Sequence, residues 1–246
     1  MRRIELFGCP MDVATMEETV TSILQRIDTK EFTQHAGINV AKLVHMQSDR
    51  QLAMSVRGCD FINIDGIGVV WAARMLRHEV PERVAGVDLF ERLLQEAARR
   101  GISVFLLGAT TEVVARVAER CAYLYPALEI AGYHHGYFWD DERSVVDQVR
   151  ASCARMLFVA ITSPEKENFI HRWQSELGVD FVMGVGGTFD VVAGKVKRAP
   201  RWMQNSGLEW FFRVIQEPRR MWKRYFVTNS RFALMLGKAW LAPRRN

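Results

Sequence analysis

Four short segments of this 246-residue chain carry residue types that could act on a phosphorylated or hydroxyl-bearing substrate. Gly184-Val185-Gly186-Gly187-Thr188-Phe189-Asp190 follows a short apolar run. Glycines at such a turn, Gly186 and Gly187 above all, let backbone N–H groups approach an anion closely, and a following helix adds its positive end. The string fits neither the Walker loop nor G-x-G-x-x-G, so a phosphate cradle and a tight packing turn both stay open. Asp190 could accept hydrogen bonds from sugar hydroxyls, or serve the turn. Asp65-Gly66-Ile67-Gly68 follows another apolar run. A carboxylate there stands where a catalytic base would be placed, and it could equally cap a helix over Val69–Leu76. Asn39 sits at a third strand-to-helix junction, where capping is again an alternative. Arg83 precedes a helix and could pair with a phosphate or lie on the surface.

The elements that would hold these segments alternate along the first 190 residues. Strands are expected over Glu31–Ile38, Asp60–Ile64, Ser103–Leu107, Leu128–Tyr133, Arg155–Ile161 and Asp180–Met183. Helices are expected over Thr15–Arg26, Val40–Arg57, Asp88–Arg100, Glu112–Leu124, Asp140–Ala154 and Pro164–Leu177. Runs such as SVFLL and MLFVAI are apolar throughout, as suits strands covered on both faces of a parallel sheet. The β-α-β-α order implies an α/β fold with a Rossmann-like open sheet, whose ligands bind beyond the carboxyl ends of the strands. Alternation stops near Gly194–Pro200. That divides the chain into a core over 1–194 and a basic, Trp-rich helical appendage over 195–246.

Charge follows the same division. The chain is +5 overall, but from Gly207 onward nine Lys/Arg face only Glu209 and Glu217. The tail is therefore +7 and the preceding 206 residues sum to −2. Four of the seven tryptophans, Trp202, Trp210, Trp222 and Trp240, also lie in the appendage. Arg213, Arg220, Arg224, Arg231 and Lys238 recur at spacings that keep them near one helical face, with Pro218 breaking the run into two helices. Basic aromatic helices suit an anionic membrane surface, and nucleic acid is the rival partner. The longest stretch without Asp, Glu, Lys or Arg is eleven residues, Gly101 to Thr111, against roughly 20 apolar residues for a spanning helix. Arg2, Arg3 and Glu5 argue against a signal peptide. The four cysteines are far apart and read as buried, reduced thiols of a cytosolic protein, and the adjacent His134 and His135 make a poor metal pair.

The glycine string continues through Ala193-Gly194, Lys197-Arg198-Ala199-Pro200, Gly207-Leu208-Glu209-Trp210, Arg213 and Glu217-Pro218-Arg219. With Asn39, Asp65-Gly66, Arg83-Val84-Ala85-Gly86, Gly136-Tyr137-Phe138 and Ser163-Pro164 upstream, the set closely resembles the WecG/TagA/CpsF family of bacterial glycosyltransferases (glycosyltransferase family 26) across essentially the whole chain. The resemblance implies a Rossmann-like core with a C-terminal appendage that reaches a lipid-linked acceptor. It implies inverting transfer of N-acetylmannosamine or its uronic acid from a UDP-sugar donor to polyprenyl-diphosphate-linked N-acetylglucosamine, in cell-surface polysaccharide synthesis. Neither metal nor organic cofactor is implied. The enzyme would work as a peripheral protein on the inner face of the cell membrane, with homo-oligomer formation left open.

Position by position, Asp65 matches the general base and Asn39 a residue that helps hold donor or acceptor. Arg83 matches a pocket arginine acting on diphosphate charge. Gly186, Gly187 and Asp190 match the nucleotide-side loop, while Arg213, Arg220 and Arg224 match appendage arginines for diphosphate. The chain departs from relatives in two places. Gly37 stands where several carry Thr, and Ser163-Pro164-Glu165-Lys166-Glu167 stands where they read Ser-Pro-Lys-Gln-Glu. Lys166 thus puts a cation in place of an amide, able to pair with a donor carboxylate or phosphate, or merely to balance Glu165 and Glu167. Two other classes of function compete: nucleic-acid binding through the tail, and an inactive UDP-sugar-binding regulator.

Overall fold

The chain is described by a computed structural model over residues 1–241, with the side chains of Asn205, Arg220 and Arg224 also outside the description. It opens on a hairpin, β1 (Arg2–Leu6) and β2 (Cys9–Val13). Phe7 and Gly8 both take positive φ (52° and 73°), as the tight two-residue turn of a twisted hairpin demands. This hairpin was not expected from the sequence, because Arg2, Arg3 and Glu5 interrupt the apolar run. It holds because Asp12, buried, pairs with Arg3 (2.8 Å) and accepts the Ile62 N–H (2.7 Å), stitching β2 to the sheet.

The expected alternation follows. Helix α1 (Met16–Asp28) starts in a capping box of Thr15 and Glu18. Next come β3 (Thr33–Ile38), α2 (Val40–Met46), α3 (Arg50–Arg57), β4 (Phe61–Ile64), α4 (Ile67–Met75) and α5 (Gly86–Arg100). The single helix expected over Val40–Arg57 is two, because Asp49 takes extended backbone and caps α3 by accepting from Leu52 N. The series continues with β5 (Val104–Gly108), α6 (Thr111–Leu124), β6 (Ile130–His134), α7 (Glu142–Ala151), β7 (Met156–Ala160), α8 (Glu165–Trp173) and β8 (Phe181–Gly184). Four helices close the described chain: α9 (Thr188–Val192), α10 (Arg201–Asn205), α11 (Glu209–Gln216) and α12 (Pro218–Leu241).

The eight strands form one open sheet in the order β1-β2-β4-β3-β8-β7-β5-β6, with only β1 antiparallel to its neighbour. The other seven strands end on one edge. From β3 the chain steps outward to β4, then crosses to β5 on the far side, so the reversal of winding falls between β3 and β8. Such a reversal opens a crevice above the strand ends.

Alternate residues of the central strands feed opposite faces. Leu106, Phe158 and Phe181 join one cluster with Ile23 of α1, Phe90 of α5 and Val117 of α6. On the other face, Phe105, Leu157 and Val182 pack with Val146 of α7 and Phe169 of α8. Beside them, Ala36 and Ile62 pack with Leu43 of α2, Leu52 of α3 and Phe232 of α12. Phe232 also meets the Phe7 ring edge-on at 5.6 Å, so the last helix shares the core of the first hairpin.

Phe158 is fully buried between Phe90, edge-on at 4.8 Å, and Phe181 at 6.4 Å. Removing its ring leaves a cavity that two neighbouring helices cannot close. Phe158→Ala is expected to lower the unfolding free energy by about 3–5 kcal/mol, read by denaturant titration.

Candidate active site

A cavity of about 1210 Å³ opens over the reversal and runs along six strand ends, from β4 through β3, β8, β7 and β5 to β6. At the usual spacing of neighbouring strands these ends span roughly 24 Å. Asp65 and Arg83 stand at the β4 end and Tyr137 and Trp139 beyond β6, with Glu209, Trp210, Arg213 and Tyr225 of the closing helices along the rim.

Asp65 is held from both sides. Its backbone N–H and that of Gly66 donate to Ile38 O (2.9 and 3.0 Å), fixing it against the end of β3. Its Oδ1 accepts the Gly86 N–H at 2.8 Å. The carboxylate therefore caps α5, not the helix that follows it. Helix α4 starts at Gly66 without a side-chain cap. One Asp65 oxygen is thus structural, and Oδ2 is the atom left to take a proton. Gly66 is needed here, since a Cβ would stand 2.9 Å from Asn39 Cα. Across the gap, a Cβ on Gly37 would stand 3.3 Å from Asp65 Cβ, so a side chain at that position would lie directly against the carboxylate.

Asn39 has the capping role: its Oδ1 accepts from Lys42 N at 3.0 Å. What it can offer a ligand is its amide NH₂, on the cavity wall beside Asp65. Arg83 is brought to the same end because Val84 N donates to Ile64 O at 3.0 Å. Its Nη1 lies 3.2 Å from Glu209 Oε2, in a mostly buried pair.

The glycine turn resolves differently from a packing turn. Gly186 has φ +53°, and a Cβ on Gly186 or Gly187 would meet nothing within 4 Å. The space over both residues is open to the cavity, so protein atoms do not demand their small size. Helix α9 has only five residues, so its dipole adds little to that of the local N–H groups. Asp190 stands at the rim with Lys195 Nζ at 3.6 Å.

Lys166 belongs to a buried charge cluster: it balances Glu167, one of the two readings open from the sequence, while the part of Lys42 was not read there. Its stem crosses Gly184, where a Cβ would lie 2.8 Å from its Cε. Its Nζ lies 2.9 Å from Glu167 Oε1, and Lys42 Nζ lies 2.8 Å from the same oxygen. Lys42 Nζ also donates to Gly37 O at 2.8 Å. Burial pushes the Glu167 carboxyl up, but the Lys42 and Lys166 ammonium groups outweigh it and hold its pKa at about 2. Burial likewise opposes the Lys42 charge, and Glu167 more than restores it. The signal for Lys42 was present in the sequence: in Val40-Ala41-Lys42-Leu43-Val44 a lysine occupies the apolar stripe of a helix.

The appendage residues separate. Arg213 lies on α11, which ends before Pro218, so it does not share a helical face with the later basic residues as the spacing suggested. Its Nη2 is 3.9 Å from Glu209 Oε1. Arg220 and Arg224 fall on α12, but their side chains lie outside the described residues. Arg198, at the cavity wall, grips Asp88 with two nitrogens at 2.6 and 2.8 Å. The His134 and His135 rings lie 4.3 Å apart, tilted by 39°, and among the described residues no three His, Cys, Asp or Glu side chains converge to hold a metal ion. Cys9, Cys59 and Cys121 are buried as expected, but Cys153, in the turn after α7, is exposed.

The depressed Glu167 carboxyl stabilises the fold above the ordinary carboxyl range near pH 4.5, and that contribution is lost as pH falls towards about 2. Wild type should therefore lose unfolding free energy across this window. Glu167→Gln should be about 3–5 kcal/mol less stable at neutral pH and lack that part of the acid slope, read by denaturant titration at each pH.

The family described as glycosyl transferase WecG/TagA/CpsF matches residues 4–246. A Bacillus subtilis (strain 168) protein is 40% identical over 190 residues, covering 77% of this chain and 73% of that relative. It is named N-acetylglucosaminyldiphosphoundecaprenol N-acetyl-beta-D-mannosaminyltransferase. A Bacillus spizizenii (strain W23) protein of the same name is 36% identical over 215 residues, covering 85% of this chain and 82% of the relative. Matched over nearly its whole length, this chain belongs to the WecG/TagA/CpsF family of glycosyltransferases.

Proposed function

We propose that this glycosyltransferase moves an N-acetylmannosamine-type sugar from a UDP donor onto N-acetylglucosamine carried by a polyprenyl diphosphate, with inversion at the anomeric carbon. The names of its two relatives support the acceptor and the sugar. The observation that carries the mechanism is Asp65, whose Oδ1 is fixed by Gly86 N–H while the carboxylate faces the cavity. Asp65 Oδ2 takes the proton of the attacking acceptor hydroxyl. The hydroxyl oxygen bonds to the anomeric carbon as the bond to the donor phosphate breaks, and that electron pair leaves on UDP. Negative charge grows on the departing diphosphate. Arg83, the open N–H groups at Gly186 and Gly187, and the appendage arginines Arg213, Arg220 and Arg224 are assigned to stabilise it. Asn39 and Asp190 hold hydroxyls or amide groups of the substrates, and Lys166 meets an anionic group of the donor. The nucleic-acid reading finds no support among the relatives.

Residues 195–246 are assigned to the acceptor and the membrane surface. Among the described residues no helix is long and apolar enough to cross a membrane. Helix α12 instead carries two apolar stripes. Met221, Thr228 and Phe232 face the body of the protein, while Trp222 (56% exposed), Phe226 (68%) and Leu234 (68%) face solvent. Arg219, Lys223, Arg231 and Lys238 are exposed around the second stripe. Each basic residue near an anionic bilayer contributes about 1 kcal/mol of attraction, and aromatic rings suit its interface.

Asp65→Asn keeps an oxygen for the Gly86 N–H and loses the base. Turnover, read as UDP release with a synthetic prenyl-diphosphate-linked N-acetylglucosamine, should fall by about 10²- to 10⁴-fold while UDP still binds. Near-normal turnover would remove Asp65 from the base role. The membrane assignment is tested without truncation, which would strip Phe232 from the core. Trp222→Ser with Phe226→Ser should retain the melting temperature and lose most binding to anionic liposomes, and undiminished sedimentation with the vesicles would refute it.

A further inference from the structure

Glu209 has no part in the mechanism above, yet it stands where core and appendage meet. It occupies the first turn of α11, where the helix dipole favours a carboxylate, and only 16% of its side chain is exposed. Its two oxygens face different partners. Oε2 is 3.2 Å from Arg83 Nη1, on the loop between α4 and α5, and Oε1 is 3.9 Å from Arg213 Nη2, on α11 itself. All three side chains line the cavity. We propose that Glu209 is a positioning residue for diphosphate recognition: its carboxylate seats the Arg83 and Arg213 guanidinium groups side by side so that both forks reach one diphosphate. The proposal rests on the glycosyltransferase reading of the cavity.

Two guanidinium groups sharing a partly enclosed site repel each other, and more strongly than in water. Arg213 is 43% exposed, so without an intervening negative charge it can turn out to solvent. A carboxylate between the two removes that repulsion and occupies one edge of each guanidinium. Arginine carries five N–H donors, so each still has donors for phosphate oxygens. Glu209 would thereby make the arginine pair conditional on the appendage being docked, because Arg83 belongs to the core and Glu209 to the helix laid over it.

The sign of the charge effect separates this role from its rivals. Removing a negative charge beside an anion site should tighten anion binding if Glu209 merely opposes the ligand or fills its place. It should weaken binding if Glu209 positions the arginines. The test is calorimetric binding to the full chain of UDP, uridine and geranyl diphosphate, for wild type, Glu209→Gln and Glu209→Asp. Glu209→Gln is expected to weaken at least one diphosphate by about tenfold, in proportion to a lost charge-assisted contact, with uridine unchanged and Glu209→Asp intermediate. Loss on UDP identifies the donor diphosphate, and loss on geranyl diphosphate identifies the lipid diphosphate. Unchanged or tighter binding of both would overturn the proposal, and so would equal loss of uridine, which marks a purely structural clamp. Wild type that binds neither diphosphate would overturn it as well. If Glu209→Gln does not fold, Glu209→Asp decides by the same signs, with a two- to threefold loss expected. Failure of wild type to turn over any UDP-sugar would count against the glycosyltransferase reading and leave the diphosphate comparison intact.

Discussion

The groups that the core brings to the cavity stand where they do because seven strands run in one direction. A parallel sheet covered on both faces must send each strand's successor loop to the same edge, so residues far apart in the chain become neighbours there. Asn39 after β3, Asp65 after β4 and Gly186 after β8 are separated by up to 147 positions in sequence, yet β4, β3 and β8 are adjacent strands. The apolar runs that build the sheet thus dictate where its polar residues act. Phe158 and Leu157 point to opposite helical layers, and the polar ends of the strands are what remains for solvent and ligand.

Beneath that edge lies a second constraint. Placing Lys42, Lys166 and Glu167 out of water is costly, and the cost is met only because the three charges lie together. Lys42 also donates to Gly37 O, at the end of β3 and next to Asp65. The cluster consequently fixes the wall of the cavity from below, while the Asp65–Gly86 hydrogen bond fixes it from the side. Apolar packing could have supplied equal stability; what the charges add is a cationic floor under a site assigned to a doubly phosphorylated donor.

Much of this was legible in the sequence, and the failures share a cause. Asp65 was recognisable as a strand-end carboxylate because the apolar run before it and the glycine after it are local signals. That it caps α5 was not, because its partner Gly86 is 21 residues away and contributes only a backbone N–H. The hairpin β1–β2 was missed since its apolar residues alternate with charges whose partners, Asp12 among them, pair only in three dimensions. Asn39 showed the opposite case: both the cap and the cavity position were readable, and the structure makes them compatible by using different atoms of one amide. The spacing of Arg213 and the later arginines suggested one face, while Pro218 was read as dividing the run into two helices, and the division is what the structure has: α11 ends at Gln216 and α12 begins at Pro218.

The uneven charge of the chain has a structural counterpart in α12. A helix that served only to cover the core would need one apolar stripe, and Met221 and Phe232 with the partly buried Met235 and Leu236 provide it. The second stripe, through Trp222, Phe226 and Leu234, gives up hydrophobic burial and so makes no contribution to the fold as described. Its aromatic residues with basic neighbours match an anionic interface in both apolar and charged character. The same helix therefore packs on the protein with one side and presents to solvent the side assigned above to a lipid surface. Under these assignments, a lipid-borne diphosphate held at that surface would enter the cavity past Glu209, Arg213 and Arg83, which line it.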